Sequence, residues 1–490
     1  MRPLRNTQRV VALAGTPRPW LLACGVWLAG CAQTPPYQAP AIDVPAAYKE
    51  QGAAAAQGVW QPARPAEARP PAPAWWTVYG DATLDRLQQQ AEAGSPSLAQ
   101  SAARLRAAQA AVASSSAAAL PTLGASASSS RARSGTQLAD GSSTARISNT
   151  HSMGLNASWE LDLWGRVSAG VSAAQASAQA SADDLAAARL SLHALVAQTY
   201  FSLRAAEAQA RLLGETLQAY ERSWELTRHR QAAGVATSAD VAQAEAQYKS
   251  TQVQLLESQT TRAQLEHALA ALLGQAPAAF ALEGAADLPT PSAVPAALPS
   301  DLLQQRPDIA AAERRVAAAN AQIGVARAAF FPSLTLSAAG GYRGSPVSEL
   351  FNAPNLFWSL GPALAASLFD GGARSAAVET ARANHAQVTA AYRQTVLTAL
   401  QEVEDNLSAA AGLAQEEQLQ REAVAAAQRA LDVVENQYRA GTVGYLNVLS
   451  AQTSVLSARR SLIDIRSRRL AAVNTLLKNV AGRWTPLASS

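Results

Sequence analysis

The sequence predicts a duplicated, mainly α-helical chain that carries two pairs of membrane-length β-strands. Three observations lead there. Residues 96–127 recur 211 positions later, with Pro96 on Pro307, Arg104 on Arg315, Pro121 on Pro332 and Ser126 on Ser337; a later stretch recurs at 207, with Ala233-Gly234 on Ala440-Gly441, Val241 on Val448 and Arg262 on Arg469. Each copy holds a long proline-free stretch with apolar residues at alternating steps of four and three, the seam of a coiled coil. Each copy also holds segments that alternate apolar and polar residues with period two. A repeat of about 210 residues is far longer than a solenoid unit of roughly 20–50, so each copy is a substantial unit of several elements.

The chain opens with an export signal over 1–30: Arg2, Arg5, Arg9 and Arg18 without an acid, then an 11-residue apolar run from Trp20 to Gly30. That run is too short to span a bilayer as a helix, which takes ~20 residues. It ends in Leu28-Ala29-Gly30-Cys31, which resembles the lipobox of bacterial lipoproteins. The resemblance implies that Cys31 becomes the first residue and carries a diacylglycerol and an N-acyl chain such as palmitate. Ala32 after it resembles lipoproteins sent to the outer membrane. Charge follows from the same segment: 40 basic minus 36 acidic residues gives +4, and the four signal arginines account for all of it. A neutral mature chain gives no argument for a nucleic-acid partner. Cys24 leaves with the signal, so Cys31 has no intrachain partner and stability must come from packing or assembly.

Residues 31–80 are rich in proline and read as extended chain. The first copy follows over 81–288, a proline-containing linker over 289–300, the second copy over 301–480 and a tail over 481–490. Within the first copy, strands are expected at about 122–134 and 147–163, where Met153, Leu155, Ala157, Trp159, Leu161 and Leu163 alternate with Ser152, Gly154, Asn156, Ser158, Glu160 and Asp162. In the second they are expected at about 333–343 and 356–369. About 9–11 tilted residues cross a bilayer as a strand. A half-buried sheet of a periplasmic domain would show the same alternation, so the strands alone leave both readings open.

The seam of the first copy runs through Leu192, Val196, Thr199, Leu203, Ala206, Ala210, Leu213, Leu217, Tyr220, Trp224 and Thr227, and the second keeps register through Val403, Ala410, Leu413, Val424, Leu431 and Val434. A proline-free helix from Arg166 to Ala232 would reach roughly 100 Å at ~1.5 Å per residue. Gly234 and Gly441 end these helices, and 235–274 and 442–480 return antiparallel. Four strands cannot close a barrel, and an open sheet edge cannot face lipid. A membrane-spanning reading therefore requires several copies; two would give a filled eight-stranded barrel, three a twelve-stranded one with room for a channel.

Five motifs carry a family resemblance: Trp159-Glu-Leu-Asp-Leu-Trp-Gly-Arg166, Arg306-Pro-Asp-Ile-Ala-Ala-Ala-Glu-Arg-Arg315, Ile323-Gly-Val-Ala-Arg-Ala-Ala-Phe-Phe-Pro-Ser-Leu334, Leu368-Phe-Asp-Gly-Gly-Ala-Arg374 and Gly441-Thr-Val-Gly-Tyr-Leu-Asn-Val-Leu449. The chain resembles the TolC/OprM outer-membrane efflux factors over nearly all its mature length, in particular the NodT-like lipoprotein branch. The resemblance implies a homotrimer: a twelve-stranded β-barrel, four strands per chain, continued by a long antiparallel α-helical coiled-coil barrel in the periplasm. It implies an exit duct in the outer membrane, serving a periplasmic adaptor (membrane fusion) protein and an inner-membrane pump of the RND type. Two other readings are an exit duct of type I protein secretion and a non-channel coiled-coil lipoprotein; the lipobox argues against the first, the duplicated strand pairs against the second.

The resemblance also implies a gate at the helix tips. Tyr438 and Arg466 match the second-copy members of its latch, and Asp240 the acidic partner on the first copy. Positions that are acidic in many relatives are Asn447 and Ser450 here, so closure is expected to rest more on packing by Tyr445 and Leu446. The turn residues Gly234, Val235, Gly441, Thr442 and Val443 are the expected adaptor contact. No chemistry is expected: His151, His193, His229, His267 and His385 show no ligand spacing, and there is no Gly-rich phosphate loop, so neither an enzyme, a metal nor a cofactor other than the covalent lipid is anticipated.

Overall fold

A computed structural model describes residues 34–43, 48–50, 58–60, 74–137, 143–284, 288–289, 306–480 and 484–486. Cys31, the signal and nearly all of both proline-rich segments lie outside them. The elements in order are β1 (Gly58–Trp60), α1 (Ala82–Gly94), α2 (Pro96–Ala117), β2 (Thr122–Gln137), β3 (Ser143–Leu161), α3 (Arg166–Ala232), α4 (Ser238–Leu272), α5 (Pro307–Ala328), β4 (Ser333–Gly344), β5 (Leu356–Ala365), α6 (Ala373–Arg439), α7 (Tyr445–Asn479) and β6 (Trp484–Pro486). Their contacts divide the chain into two units. One gathers Gln109–Ala176 and Val316–Gln387, the other Ala39–Ala108, Ser177–Arg315 and Val388–Ser490.

The first unit is built on one antiparallel sheet in the order β2-β3-β4-β5, so the two hairpins are joined through β3 and β4. Its register sorts most side chains by polarity. Leu123, Ala157, Ala338 and Leu360 lie in one row across the sheet, followed by Ala125, Leu155, Gly340 and Trp358, then Ala127, Met153, Tyr342 and Leu356. Adjacent positions, which point to the opposite face, carry Gly124, Asn156, Ala339 and Ser359, then Ser126, Gly154, Gly341 and Phe357, then Ser128, Ser152 and Arg343, so that face is small or polar apart from Phe357. The apolar face is exposed: Trp358 is 78% accessible, Leu123 74% and Leu360 67%. A half-buried periplasmic sheet would cover that face, so the exposed apolar rows favour lipid as its surroundings.

The strands differ from expectation at their ends. The first hairpin is longer, reaching Gln137 and starting again at Ser143. β3 stops at Leu161, short of Leu163, because the Asp162 carboxylate accepts from the amides of Val167 (3.0 Å) and Ser168 (2.7 Å) and opens α3. β5 stops at Ala365, short of the expected end, since its partner β4 begins after Pro332, which has no amide to donate. Asp370 repeats the role of Asp162 by accepting from Gly372 and Arg374 at the start of α6. Of the aromatic residues near these junctions, Phe331 stacks on Trp164 at 4.9 Å, and the Trp164 indole donates to the Pro332 carbonyl.

The second unit, apart from a short antiparallel pairing of β1 with β6, is helical and holds most of α3 and α6. These two helices are each 67 residues long and α4 and α7 each 35, so the duplication is kept to the residue. Seam residues Val196 and Leu203 of α3 are fully buried. With Phe201, Leu269 of α4, Val473 and Leu476 of α7, and Leu84 and Leu87 of α1 they belong to the main core of the unit. Leu213 lies in a smaller core farther along α3, with Tyr220, Tyr248 and Leu456. Each large apolar side chain taken fully from water contributes about 1.5–3 kcal/mol, so the main core anchors the helices. The seam is not buried evenly. Tyr220 and Thr227 near the end of α3 are covered, whereas Val424, Leu431 and Val434 of α6 are only half-buried.

Candidate functional site: two helix-hairpin tips

Both long helices end in the same way. Gly234 has φ +76° and Gly441 φ +78°, a left-handed conformation that glycine adopts without strain. The Gly234 amide donates to the Gln231 carbonyl and the Val235 amide to Arg230; Gly441 donates to Tyr438 and Thr442 to Gln437. These paired bonds form a Schellman turn and satisfy carbonyls that the helix end would otherwise leave free. Gly234, Val235, Gly441 and Thr442 are exposed and Val443 is half-buried, so the turn residues expected to meet an adaptor are largely accessible.

The helices that leave the turns start differently. Thr237 caps α4: its hydroxyl accepts from the Asp240 amide (3.2 Å), while the Asp240 carboxylate accepts from the Thr237 amide (2.9 Å) and hydroxyl (2.8 Å). This is a capping box. The N-cap of α7 is Gly444, which has no side chain to cap with, and Asn447 stands where the first copy has Asp240.

Contacts between the copies hold the second tip. Tyr438 and Tyr445 meet edge to face at 6.0 Å and are 9% and 3% exposed. With Ala244 and Val448 they form a small core. From α3, the Arg230 guanidinium lies 4.4 Å from the Tyr438 ring centre and donates to the Tyr438 carbonyl at 3.4 Å. The Ser223 hydroxyl donates to the Tyr445 oxygen at 3.4 Å. Burial, joined by the nearby Tyr438 and Asp240, pushes the Tyr445 phenol above its ordinary value, so it stays neutral.

One expectation changes here. Arg466 does not join Asp240 and Tyr438 within the chain. It stands roughly 30 Å along α7 from Tyr445 at ~1.5 Å per residue, and its Nε donates to Glu417 at 3.0 Å. Asp240 is engaged by its own capping box. Successive helix positions point about 100° apart, so within one chain Tyr445 is buried in the hairpin while Leu446 is 57% exposed. Asn447 and Ser450 are exposed with it. Sequence reasoning misses Arg230 and Ser223, whose only signal is their two-turn spacing along α3 on the side that meets the second copy.

The model of the outer membrane efflux protein family matches residues 87–275 and again 298–482. Over 459 residues the chain is 34% identical to the antibiotic efflux pump outer membrane protein ArpC of Pseudomonas putida, covering 93% of each. It is 31% identical over 462 residues to the cation efflux system protein CusC of Escherichia coli, covering 93% of this chain and 96% of that one. Among solved structures, the outer-membrane channel OprN superposes with a TM-score of 0.84 at 29% identity, covering 92% of this chain and 99% of that one.

Proposed function

The chain belongs to the outer membrane efflux protein family, and from that premise we propose that three copies assemble into one duct. The protein is an outer-membrane efflux channel with a helical tunnel in the periplasm. The observation that carries the trimer is the four-stranded sheet, which exposes its apolar face and pairs neither β2 nor β5 on its outer side among the described residues. In lipid those edges need partners, and three sheets joined edge to edge make a twelve-stranded barrel. Conduction through it is passive and needs no bond chemistry.

The remaining parts follow from the same reading. Lipid on Cys31 anchors each copy to the membrane. The exposed turns at Gly234, Val235, Gly441, Thr442 and Val443 receive a periplasmic adaptor, which joins the duct to an inner-membrane pump of the RND type. The second-copy tip, with Tyr438 and Tyr445 inside it and Leu446, Asn447 and Ser450 outside, is the moving part of the gate; Asp240 stays with the first copy. The experiment is planar-bilayer conductance of detergent-extracted protein together with its migration on a gel before and after heating. Discrete openings from a heat-dissociable trimer are expected. A folded monomer without conductance would overturn the reading. Gly441→Val, strained at φ +78°, is expected to abolish export while the trimer survives; normal export would remove the turn from the adaptor contact.

A further inference from the structure

Arg466, displaced from the latch that its sequence position suggests, belongs to a different feature. Each helical hairpin carries a charged network, with Arg262 and Arg469 at equivalent positions, and the two networks differ in what their arginines meet. In the first copy Arg262 donates to Glu207 (3.2 Å), Glu266 (2.7 Å) and the Leu282 carbonyl (2.6 Å), and Arg204 to Glu207 and the Glu283 carbonyl. The chain at Leu282–Glu283 lies across these groups and takes a donor from each arginine.

In the second copy Arg469, the counterpart of Arg262, shares one carboxylate with two other arginines. Arg469 donates to Glu417 at 2.8 Å, Arg466 at 3.0 Å, and Arg421 also bonds it. The Glu417 side chain is 3% exposed, whereas those of Arg421 and Arg466 are 51% and 40% exposed. Burial disfavours its charge, yet the bonds from Arg469, Arg466 and Arg421 hold its carboxyl below the usual range. These residues line a cleft of about 560 Å³ together with Arg459, Arg211 and Glu215. Even without Arg211, four arginines (Arg421, Arg459, Arg466 and Arg469) against Glu215 and Glu417 leave +2 in the lining.

We propose that this cleft is a binding site for a small multivalent oxyanion of the phosphate type. Guanidinium groups suit such a ligand because their planar donors bond oxyanions in pairs and they cannot lose their charge. Glu417 fixes three of them in place but neutralises only one. The first-copy network offers no such site, because the Leu282 and Glu283 carbonyls already occupy donors of Arg262 and Arg204.

The test is calorimetric titration of the intact, detergent-extracted protein with inorganic pyrophosphate, against sodium chloride at the same ionic strength. Saturable binding is expected for pyrophosphate alone. Arg459→Gln and Arg466→Gln each weaken it by roughly 10- to 100-fold, the worth of a hydrogen bond to a charged partner. Arg262→Gln, in the first-copy network, leaves it unchanged. Glu417→Gln strengthens it, since the internal competitor for the arginines is gone; a purely structural cluster would lose thermal stability in that variant and gain no affinity. Equal loss in all three arginine variants, no gain in Glu417→Gln, or heats matched by sodium chloride would overturn the proposal.

Discussion

The two hairpin tips share a turn and differ in how they are held. The first closes itself, with a Schellman turn at Gly234 and a capping box of Thr237 and Asp240. The second has the same turn at Gly441, but the N-cap of its return helix is Gly444, without a side-chain cap, and its stability comes from Tyr438 and Tyr445 packed with first-copy groups. One tip is locally self-sufficient; the other is held by its neighbour. In the gate proposed above, that difference assigns the movement to the second copy, because contacts between hairpins can be broken without unwinding either helix.

The sharpest way to break the comparison is to empty the second tip. Tyr445→Ala removes a side chain that is 3% exposed, and large-to-small replacement of a buried aromatic costs about 3–5 kcal/mol. Amide exchange in the first turns of α7 should accelerate strongly, with larger conductance in bilayers, while α4 keeps its protection. Unchanged exchange in α7 would mean that the pair of tyrosines does not hold the tip. A smaller effect is expected from Arg230→Gln, which removes a cation–π contact worth about 0.5–2 kcal/mol. Combined with Tyr438→Leu, its effect on opening should be less than additive; strict additivity would show that the two residues do not act on each other.

Asp240→Ala probes the other side of the comparison. Loss of the capping box should cost ~1 kcal/mol and loosen the first turn of α4, leaving conductance as it was. Should conductance rise instead, the Asp240 carboxylate serves a partner beyond its own hairpin, and the two tips are less independent than their local bonds imply.

What is legible in the sequence follows the range of the interactions involved. The ends at Gly234 and Gly441 and the length of α3 and α6 are local matters of glycine conformation and missing proline, and they can be read to within a few residues. The apolar rows of the sheet are readable too, although whether they face lipid depends on exposure, which alternation does not encode. Arg466 is misplaced because a run of arginines along one helix gives no sign of which turn meets which carboxylate. Its partner, Glu417, lies 49 positions away on α6, and only the pairing of the two helices brings them together. Arg230 escapes notice for the same reason: its target, Tyr438, is on the other copy.

The finest test adds to the second tip what the first already has. Gly444 sits at the N-cap with φ −79° and ψ 164°, an extended conformation open to any residue, and a Cβ there would meet nothing within 4 Å. Gly444→Ser can therefore be accommodated without strain, and its hydroxyl can accept from an amide in the first turn of α7, as Thr237 does in α4. Since glycine is itself only a few tenths of a kcal/mol poorer than serine at this position, the gain is small. It should appear as slower amide exchange confined to the first turn of α7 and rarer openings in bilayers. If the cap forms and openings are no rarer, fraying of that turn is not part of opening, and the tip moves as a rigid hairpin governed by Tyr438 and Tyr445 alone.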